Sequence, residues 1–185
     1  MREAKEHLII IPIVSSERRI YLPCGFVPSD VIVPNSAQVI FDPELYIMAI
    51  LLSKIHMLWV KSVCGTLESR VRYSSVLGYN TFPFPSISNQ RREELTQCTF
   101  RILEEREKHP EKTLAQLYDP DKMPEGLKEA HRLNDEAVER CYRSTPFNSD
   151  EERLEYLFKL YEKMIQEEKE KGTLFEAEKK TRKKK

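Results

Sequence analysis

Residues 42–65, DPELYIMAILLSKIHMLWVKSVCG, contain the longest apolar stretch of the chain, and the rest of the fold has to be built around them. Asp42 is a residue type that caps helices, and Pro43 suits a first helical position because its fixed φ is already helical. We therefore predict a helix over Glu44–Val63 that is buried on most sides and ends at Gly65.

Three polar side chains argue against a membrane span at this helix. A helix needs about 20 predominantly apolar residues to cross a bilayer. Lys54, His56 and Lys61 interrupt the apolar stretch. A buried core helix is therefore the better interpretation, and we expect no membrane partner.

Short apolar runs precede this helix and are separated by prolines and a glycine. Runs rich in Ile and Val between such residues are typical of β-strands. The candidate strands are His7–Val14, Arg19–Leu22, Val31–Val33 and Gln38–Phe41. Pro12 lies inside the first of them, and because proline cannot donate to a strand ladder, we expect that strand to lie at an edge or to contain a bulge.

The composition changes near residue 86 from strand-like to helical. Apolar residues then recur at helical spacing, which predicts three main amphipathic helices and a short one that pack as a small bundle. The helices are Asn89–His109, Glu125–Tyr142 and Ser149–Lys171, with Leu114–Tyr118 as the short one. Ser149 and Glu152 have the spacing of a capping box at the start of the last main helix.

These patterns predict an α+β fold in three segments. Residues 1–86 form a small mixed β domain with a buried helix. Residues 87–172 form a C-terminal helical bundle of three main helices. Residues 173–185 form a basic tail that we expect to be disordered.

Charge and cysteine usage narrow the function classes. The chain has 30 basic and 30 acidic residues and no net charge, so any nucleic-acid surface has to be a local patch. The cysteines are far apart and form no CxxC pair, which argues against a metal site and for a reducing cytoplasm. They are Cys24, Cys64, Cys98 and Cys141.

Motifs of nucleotide-binding and catalytic sites are missing from the sequence. The patterns GxGxxG, GxSxG, HExxH and the P-loop do not occur. His131 and Asp135 have helical i, i+4 spacing, for which a surface pair or a helix-packing contact is a better interpretation than a catalytic couple.

Several strings, taken together and in order, resemble the C-terminal end of the MmeI-like family of combined restriction-modification enzymes. The match runs from about Arg19 to about Ile165, and the joint order and spacing of the strings is more specific than any one of them. The strings are HMLWV (56–60), VCGTLESR (63–70), RYS (72–74), YNTFPFP (79–85), LAQLYDP (114–120), MP (123–124) and AHRL (130–133).

The resemblance implies a place in a larger enzyme. Family members carry a SAM-dependent, adenine-specific DNA methyltransferase domain, a target-recognition domain and a C-terminal helical domain, and some carry a nuclease. Residues 1–86 would be part of the target-recognition domain, and residues 87–172 would be the helical domain. SAM would bind to a methyltransferase domain or subunit upstream. The string 80–83, NTFP, shares residue types with the catalytic Asn-Pro-Pro-aromatic loop but not their order, so we expect no catalytic residue, no cofactor site and no activity from this chain alone.

The resemblance also implies which residues read double-stranded DNA. Glu68 and Arg70 match two positions at which the family varies with the base recognised, and this combination resembles members that read a C·G pair. A carboxylate accepts from the cytosine amino group and a guanidinium donates a fork to guanine, so the assignment is chemically sound. Arg72, Asn35 and Ser36 align with further base-contacting positions.

Three more residues are predicted to contact the DNA backbone, namely Thr66, Ser69 and Ser74. The family usually has an arginine where Thr66 stands, so this chain lacks one cation there. Glu68 and Arg70 also have a simpler interpretation, as a surface ion pair.

Three functions are open at this point. The first is a DNA sequence-recognition module of a methyltransferase, which predicts a basic groove built by Arg70, Arg72 and nearby lysines. The second is a truncated, inactive remnant, which predicts an exposed sheet edge because the first strands lack partners. The third is a helical protein-interaction module, which predicts an exposed apolar stripe on one of the helices.

Overall fold

The structure is a computed structural model that describes the backbone of residues 6–182 and the side chains of residues 6–171. Short strands, a broken central helix and a C-terminal group of helices confirm the predicted α+β class. The strands are β1 (His7–Pro12), β2 (Val14–Ser15), β3 (Gly25–Pro28), β4 (Ala37–Phe41), β5 (Thr66–Leu67) and β6 (Arg70–Arg72). The helices are α1 (Leu45–Leu51), α2 (Lys54–Val63), α3 (Asn89–Glu107), α4 (Leu114–Leu117), α5 (Glu125–Tyr142) and α6 (Asp150–Arg182), with a π-helical turn at Ser75–Tyr79.

The strands form two antiparallel three-stranded sheets, ordered β3-β1-β4 and β2-β6-β5. Two predicted strands, Arg19–Leu22 and Val31–Val33, are irregular segments instead. The strand between them is β3, which the sequence did not predict because its terminal residues, Gly25 and Pro28, are typical of turns. Its pairing with β1, which supplies the backbone hydrogen bonds, outweighs that composition.

β1 is the central strand of its sheet, which corrects the prediction of an edge strand or bulge at Pro12. Ile10 pairs with Gly25, the first residue of β3, while the His7 carbonyl accepts the Asp42 N–H on the β4 side. Successive residues of a strand point their hydrogen-bonding groups to opposite neighbours. Pro12 therefore faces the β3 side, beyond the end of that strand, and its missing N–H costs the ladder no hydrogen bond.

The predicted helix over 44–63 is two helices, α1 and α2, which meet at a bend of 61°. Ser53 accounts for the break, because its hydroxyl donates to the Ile50 carbonyl (2.6 Å) and accepts the His56 N–H (3.4 Å). Hydroxyls that compete for backbone groups in this way favour helix ends. No single helix among the described residues is long and apolar enough to cross a membrane, and α1 and α2 pass that test only when joined across their bend.

The start of α1 also differs from the prediction. Asp42 lies at the end of β4 with a φ of 46°, and its side chain accepts the Glu6 N–H at 2.9 Å instead of capping the helix. Glu44 takes the N-cap position with an extended backbone and without a capping hydrogen bond from its side chain. Pro43 therefore lies in the turn between strand and helix.

Side-chain caps mark the starts of α4 and α6. Ser149 accepts the Glu152 N–H at 3.2 Å, but the Glu152 carboxylate accepts the N–H of Asn148 at 2.7 Å, so half of the predicted capping box forms. Thr113 and Gln116 form a complete capping box at α4. These caps satisfy N–H groups that have no partner within the helix.

The last helix is longer than predicted. α6 continues to Arg182, past the predicted end at Lys171, so the backbone of residues 173–182 is helical where a disordered tail was expected. The prediction for residues 183–185 and for the side chains of the basic tail lies outside the described part of the chain.

Two clusters of buried side chains hold the strands and helices together, and each includes residues from both sides of residue 86. The first contains Ile9 of β1 and Ile102 of α3. The second contains Trp59 of α2 and Leu157 of α6. The strand-rich and helical segments thus share their hydrophobic interior, and burial of each depends on the other.

A buried polar network centred on Arg106, called the Arg106 network below, joins the same two segments. The Arg106 guanidinium donates to the Cys24 carbonyl at 2.8 Å and to the Tyr118 hydroxyl at 3.0 Å. The Tyr118 oxygen also lies 2.8 Å from His131 Nε2, and His131 Nδ1 lies 3.2 Å from the Leu52 carbonyl. Because buried polar groups are costly unless paired, this network holds the helices in one position against the rest of the protein.

His131 and Asp135 make packing contacts, and both contact Tyr21. The Tyr21 ring stacks on His131 with ring centres 4.1 Å apart, and its hydroxyl donates to the Asp135 carboxylate at 2.9 Å. Asp135 also accepts the Lys54 N–H at 2.7 Å, at the start of α2. Burial raises the pKa of Asp135 to about 7 in spite of these two hydrogen bonds.

We expect the folded protein to lose stability as the pH falls below about 6.5. His56 and His131 are fully buried, and burial lowers the pKa of each to about 3. Between about pH 3 and pH 6.5 these two histidines bind protons in the unfolded chain but not in the folded one, so the free energy of unfolding rises with pH over this range. Asp135, whose pKa is raised, acts in the opposite direction up to about pH 7 and offsets part of the effect.

Urea unfolding between about pH 4 and pH 7 measures this dependence. His56→Leu should flatten it, because the substitution removes one of the two buried imidazoles. A stability that stays constant or rises on acidification would contradict the neutral state of the buried histidines.

Candidate nucleic-acid interface

The predicted base-reading residues Glu68, Arg70 and Arg72 lie on the hairpin of β5 and β6. Leu67 pairs with Arg70, so Glu68 and Ser69 form a two-residue turn. Glu68 has a φ of 57°, a left-handed conformation that most non-glycine residues avoid. Two-residue hairpin turns need a positive φ and usually place Gly, Asn or Asp there. A glutamate at this corner therefore holds its carboxylate at the tip of the hairpin at a conformational cost.

The hairpin projects two arginines from one face. Val71 is buried, whereas Arg70 and Arg72 on either side are exposed, because residues two apart in a strand share a face. A guanidinium nitrogen of Arg70 lies 2.8 Å from a carboxylate oxygen of Glu68, with 48% and 77% of the side chains exposed. The surface ion pair expected from the residue types is thus present. Exposed pairs contribute about 0–1 kcal/mol, so this one opens at little cost.

The substitution Glu68→Gly tests the backbone conformation of the turn separately from the chemistry of the Glu68 carboxylate. We expect Glu68→Gly to fold with a stability within about 1 kcal/mol of the wild type, because relief of backbone strain offsets the greater entropy of glycine in the unfolded chain. The variant should lose its preference at one base pair. Thermal unfolding and binding to duplexes that differ at single positions measure the two effects, and a large loss of stability would contradict the expectation.

The second predicted base-reading segment, Asn35 and Ser36, adjoins this hairpin. Both residues are exposed, at the centre of the turn 34–37. Ile13 connects the turn to the hairpin strand, because its N–H donates to the Ser36 carbonyl at 3.0 Å and its carbonyl accepts the Tyr73 N–H at 2.7 Å. The structure therefore brings the base-reading residues predicted from two distant parts of the sequence to adjoining exposed segments.

A loop that sequence reasoning did not single out carries two arginines beside the hairpin. β2 pairs with β6, and Ser15 lies opposite Val71. The loop 16–20 follows β2, so it leaves the sheet next to the hairpin turn. It contains Arg18 and Arg19, and two consecutive arginines directly after a strand were the signal available in the sequence.

Lys61 braces this loop from α2. Its ammonium nitrogen donates to the carbonyls of Glu17 and Arg19, both at 2.9 Å. Arg18 pairs with Asp121, and both side chains are largely exposed. Arg19 is partly buried and donates to the Ser15 hydroxyl at 3.1 Å. Of these three cations beside the hairpin, Arg18 is therefore the exposed one, while Lys61 and Arg19 are engaged within the protein.

The three residues predicted to contact the DNA backbone lie in or next to the hairpin. Thr66 and Ser69 are exposed. The Ser74 hydroxyl accepts the Leu77 N–H at 3.2 Å and caps the π-helical turn. Their contacts with phosphate stay predictions, and Ser74 has in addition a structural role that the sequence did not indicate.

Aromatic residues after the hairpin belong partly to the core. Tyr73 and Phe82 are buried together with Trp59, as core packing predicts. Tyr79 and Phe84 meet edge to face with ring centres 5.1 Å apart and line an open cavity of about 500 Å³. Of these five aromatic residues, Tyr79 and Phe84 are the two that a ligand can reach.

Two features of the described residues bear on metal and cofactor binding. No group of three or more His, Cys, Asp or Glu side chains among them is placed to hold a metal ion. The cavities of about 500, 560 and 350 Å³ are lined by no carboxylate, the group that commonly holds the ribose hydroxyls of a nucleotide cofactor.

Comparisons with known proteins match the chain to a family in two parts. Residues 1–86 match the family model "MmeI, target recognition domain", and residues 87–167 match "MmeI, C-terminal domain". DNA methyltransferase A of Bacillus subtilis (strain 168) is 48% identical over 164 residues, which are 89% of this chain and 18% of that protein. A solved structure of the Type IIL restriction-modification enzyme MmeI in complex with DNA matches with a TM-score of 0.85 and 37% identity, over 90% of this chain and 22% of that one. The chain thus spans about a fifth of the length of these relatives.

Proposed function

The chain belongs to the MmeI family, whose target recognition domain and C-terminal domain it comprises, and on this premise we propose that it reads a specific sequence in double-stranded DNA for an adenine-specific DNA methyltransferase. The observation that carries the proposal is the β5–β6 hairpin, which presents Glu68, Arg70 and Arg72 to solvent beside the exposed Asn35–Ser36 turn. The matched MmeI structure, solved in complex with DNA, supports DNA as the ligand.

The exposed groups suit recognition in the major groove. Glu68 accepts a hydrogen bond from a cytosine amino group, and Arg70 donates two to O6 and N7 of guanine. Asn35 suits the adjacent donor and acceptor of adenine. Arg18 provides a cation for a phosphate beside the hairpin, where it positions the protein without reading sequence.

The enzymatic chemistry belongs to a partner in this proposal. A methyltransferase domain or subunit binds SAM and transfers its methyl group to adenine, and the present residues select the site. The assembly acts in restriction-modification within a reducing cytoplasm. The four unpaired cysteines among the described residues are consistent with that compartment.

Duplex binding at two salt concentrations tests the proposal. We expect binding that weakens steeply between about 50 and 200 mM salt, because phosphate contacts release counterions. Arg72→Ala should weaken binding and lower the slope of log affinity against log salt by about 1 if it reaches a phosphate, or relax one base preference if it reaches a base. Arg101→Ala, at an exposed arginine of α3, is the matched control and should change neither.

The absence of duplex binding by the wild-type chain at low salt and at about 10⁻⁵ M protein would overturn the proposal, since non-specific affinities already reach that range.

A further inference from the structure

Strand β4 is an outer strand of its sheet, and one side of its backbone faces away from the sheet. Ser36 and Asp42 form hydrogen bonds towards the β1 side, so alternate residues between them do so as well. Val39 and Phe41 therefore point their N–H and carbonyl groups outward. Within the part of the chain that the structure describes, no strand pairs with this side of β4.

The opposite edge of the same sheet is protected and β4 is not. On β3, the Ser29 N–H donates to the Glu6 carbonyl, so Phe26 and Pro28 face outward and one of the two has no N–H. Proline at an edge prevents further strand pairing. β4 has the sequence AQVIF (37–41), without proline or charge. An apolar edge of this kind is a template for another strand.

Two open cavities share Tyr79 and Asn80, and one of them is lined by β4; we call them together the β4 groove. The first, of about 350 Å³, is lined by residues 38–41 of β4 and by Ser75. The second, of about 500 Å³, is lined by side chains of α1 and by Phe84. Neither cavity is lined by a charged side chain.

Apolar side chains extend this surface beyond the β4 groove. Val76 and Leu77 stand in the π-helical turn between groove residues and are 64% and 44% exposed. Phe41, at the end of β4, is 38% exposed. On the described helices α3 and α6, by contrast, the exposed large apolar residues are Phe100 and Phe158, one on each. Exposed apolar side chains thus occur beside the sheet edge, and others stand in loops and the hairpin at Ile20, Val31, Ile32 and Leu67. The predicted stripe on a helix does not form on α3 or α6.

We propose that the β4 groove binds an extended polypeptide strand with apolar side chains, which pairs with the outward edge of β4. Hydrogen bonds to Val39 and Phe41 supply affinity, and alternate side chains of the ligand enter the two cavities. DNA is a poor occupant because its phosphates require cations, which the groove lacks. In the matched relatives most of the chain lies outside the matched part, and that polypeptide is available to donate the strand. The proposal stands apart from DNA reading by the hairpin.

Selection of random peptides of about ten residues on the immobilised 185-residue protein tests the proposal. We expect enrichment of peptides with alternating apolar residues. They should bind the wild type and Val39→Thr equally, because threonine keeps the outward N–H. Val39→Pro removes that N–H and leaves the β1–β4 hydrogen bonds, so binding should weaken at least about 10-fold.

A second variant and a second measurement guard against misfolding of Val39→Pro. Asn80→Lys places a charge at an exposed position of the β4 groove and should weaken the same peptides at least about 10-fold. Amide hydrogen exchange at Val39 and Phe41 should be fast in the protein alone and slow with a selected peptide.

Several results would overturn the proposal: no enriched peptide, equal binding to all variants, protection of both amides in the protein alone, or a homodimer that buries β4. Duplex binding should be the same for the wild type, Val39→Pro and Asn80→Lys. Failure of this proposal is therefore distinguishable from failure of DNA recognition.

Discussion

Arg106→Ala is expected to lower the free energy of unfolding by about 3–5 kcal/mol. The change removes the donor to the buried Cys24 carbonyl, and an unsatisfied buried carbonyl costs about 1–3 kcal/mol. It also leaves a cavity against the Tyr118 ring, over which the guanidinium lies at 5.0 Å. Since domains of this size are stable by about 5–15 kcal/mol, the loss should be a large part of the total.

Urea unfolding followed by circular dichroism and by the fluorescence of Trp59, the single tryptophan, measures this effect. Arg101→Ala, on the exposed side of the same helix, should change stability by no more than about 0.5 kcal/mol. The two signals should report one transition, because the strand-rich and helical segments share their core. Two separate transitions, or an Arg106→Ala variant as stable as the control, would contradict a shared interior.

Glu68→Lys combined with Arg70→Asp is expected to invert the base pair preferred at one position of the DNA site and to change the relative affinity for the two orientations by about 10- to 100-fold. The double change exchanges an acceptor and a donor at the tip of the hairpin. Lysine donates to guanine and aspartate accepts from cytosine, so the same two positions suit the reversed pair. Competition between two duplexes that differ only in that pair measures the inversion.

A matched control reverses an ion pair elsewhere. Glu155→Lys with Lys159→Glu exchanges an exposed pair on α6 and should leave base preference unchanged. Glu68→Lys alone places two cations together and should weaken discrimination without inverting it. If the wild type and the hairpin double variant prefer the same pair with the same ratio, these side chains do not read it.

The helical part of the fold follows closely from sequence periodicity, and the central elements do so less well. A local pattern predicts burial over Glu44–Val63, but the helix breaks at Ser53, whose hydroxyl bonds to backbone groups on both sides of the bend. Pro12 indicated an edge strand, yet β1 is the central strand of its sheet. The proline is tolerated because β3 pairs with β1 only as far as Ile10, so no residue of β3 lies opposite Pro12. Strand pairing depends on residues far apart in sequence, which local patterns do not contain.

The candidate interface residues come from the sequence, whereas the segments that support them become visible only in the fold. The strings around Glu68 and Arg70 identified these residues, and the structure adds the hairpin that carries them and the positive φ at its corner. Arg106 in a helix with many charges indicates a solvated residue, and only the fold shows that it is buried against Tyr118 and Cys24. Long side chains of this kind take their environment from distant segments, so spacing along the helix carries no signal of it.

An NMR titration of the chain with a duplex carrying its preferred sequence is the most direct measurement of where DNA binds. We expect the amide signals of residues 65–74, of Asn35 and Ser36 and of the loop 16–20 to shift, with further residues unaffected except next to these segments. Shifts confined to α3, α5 or α6, or to the β4 groove, would place the nucleic acid on another surface and contradict recognition by the hairpin.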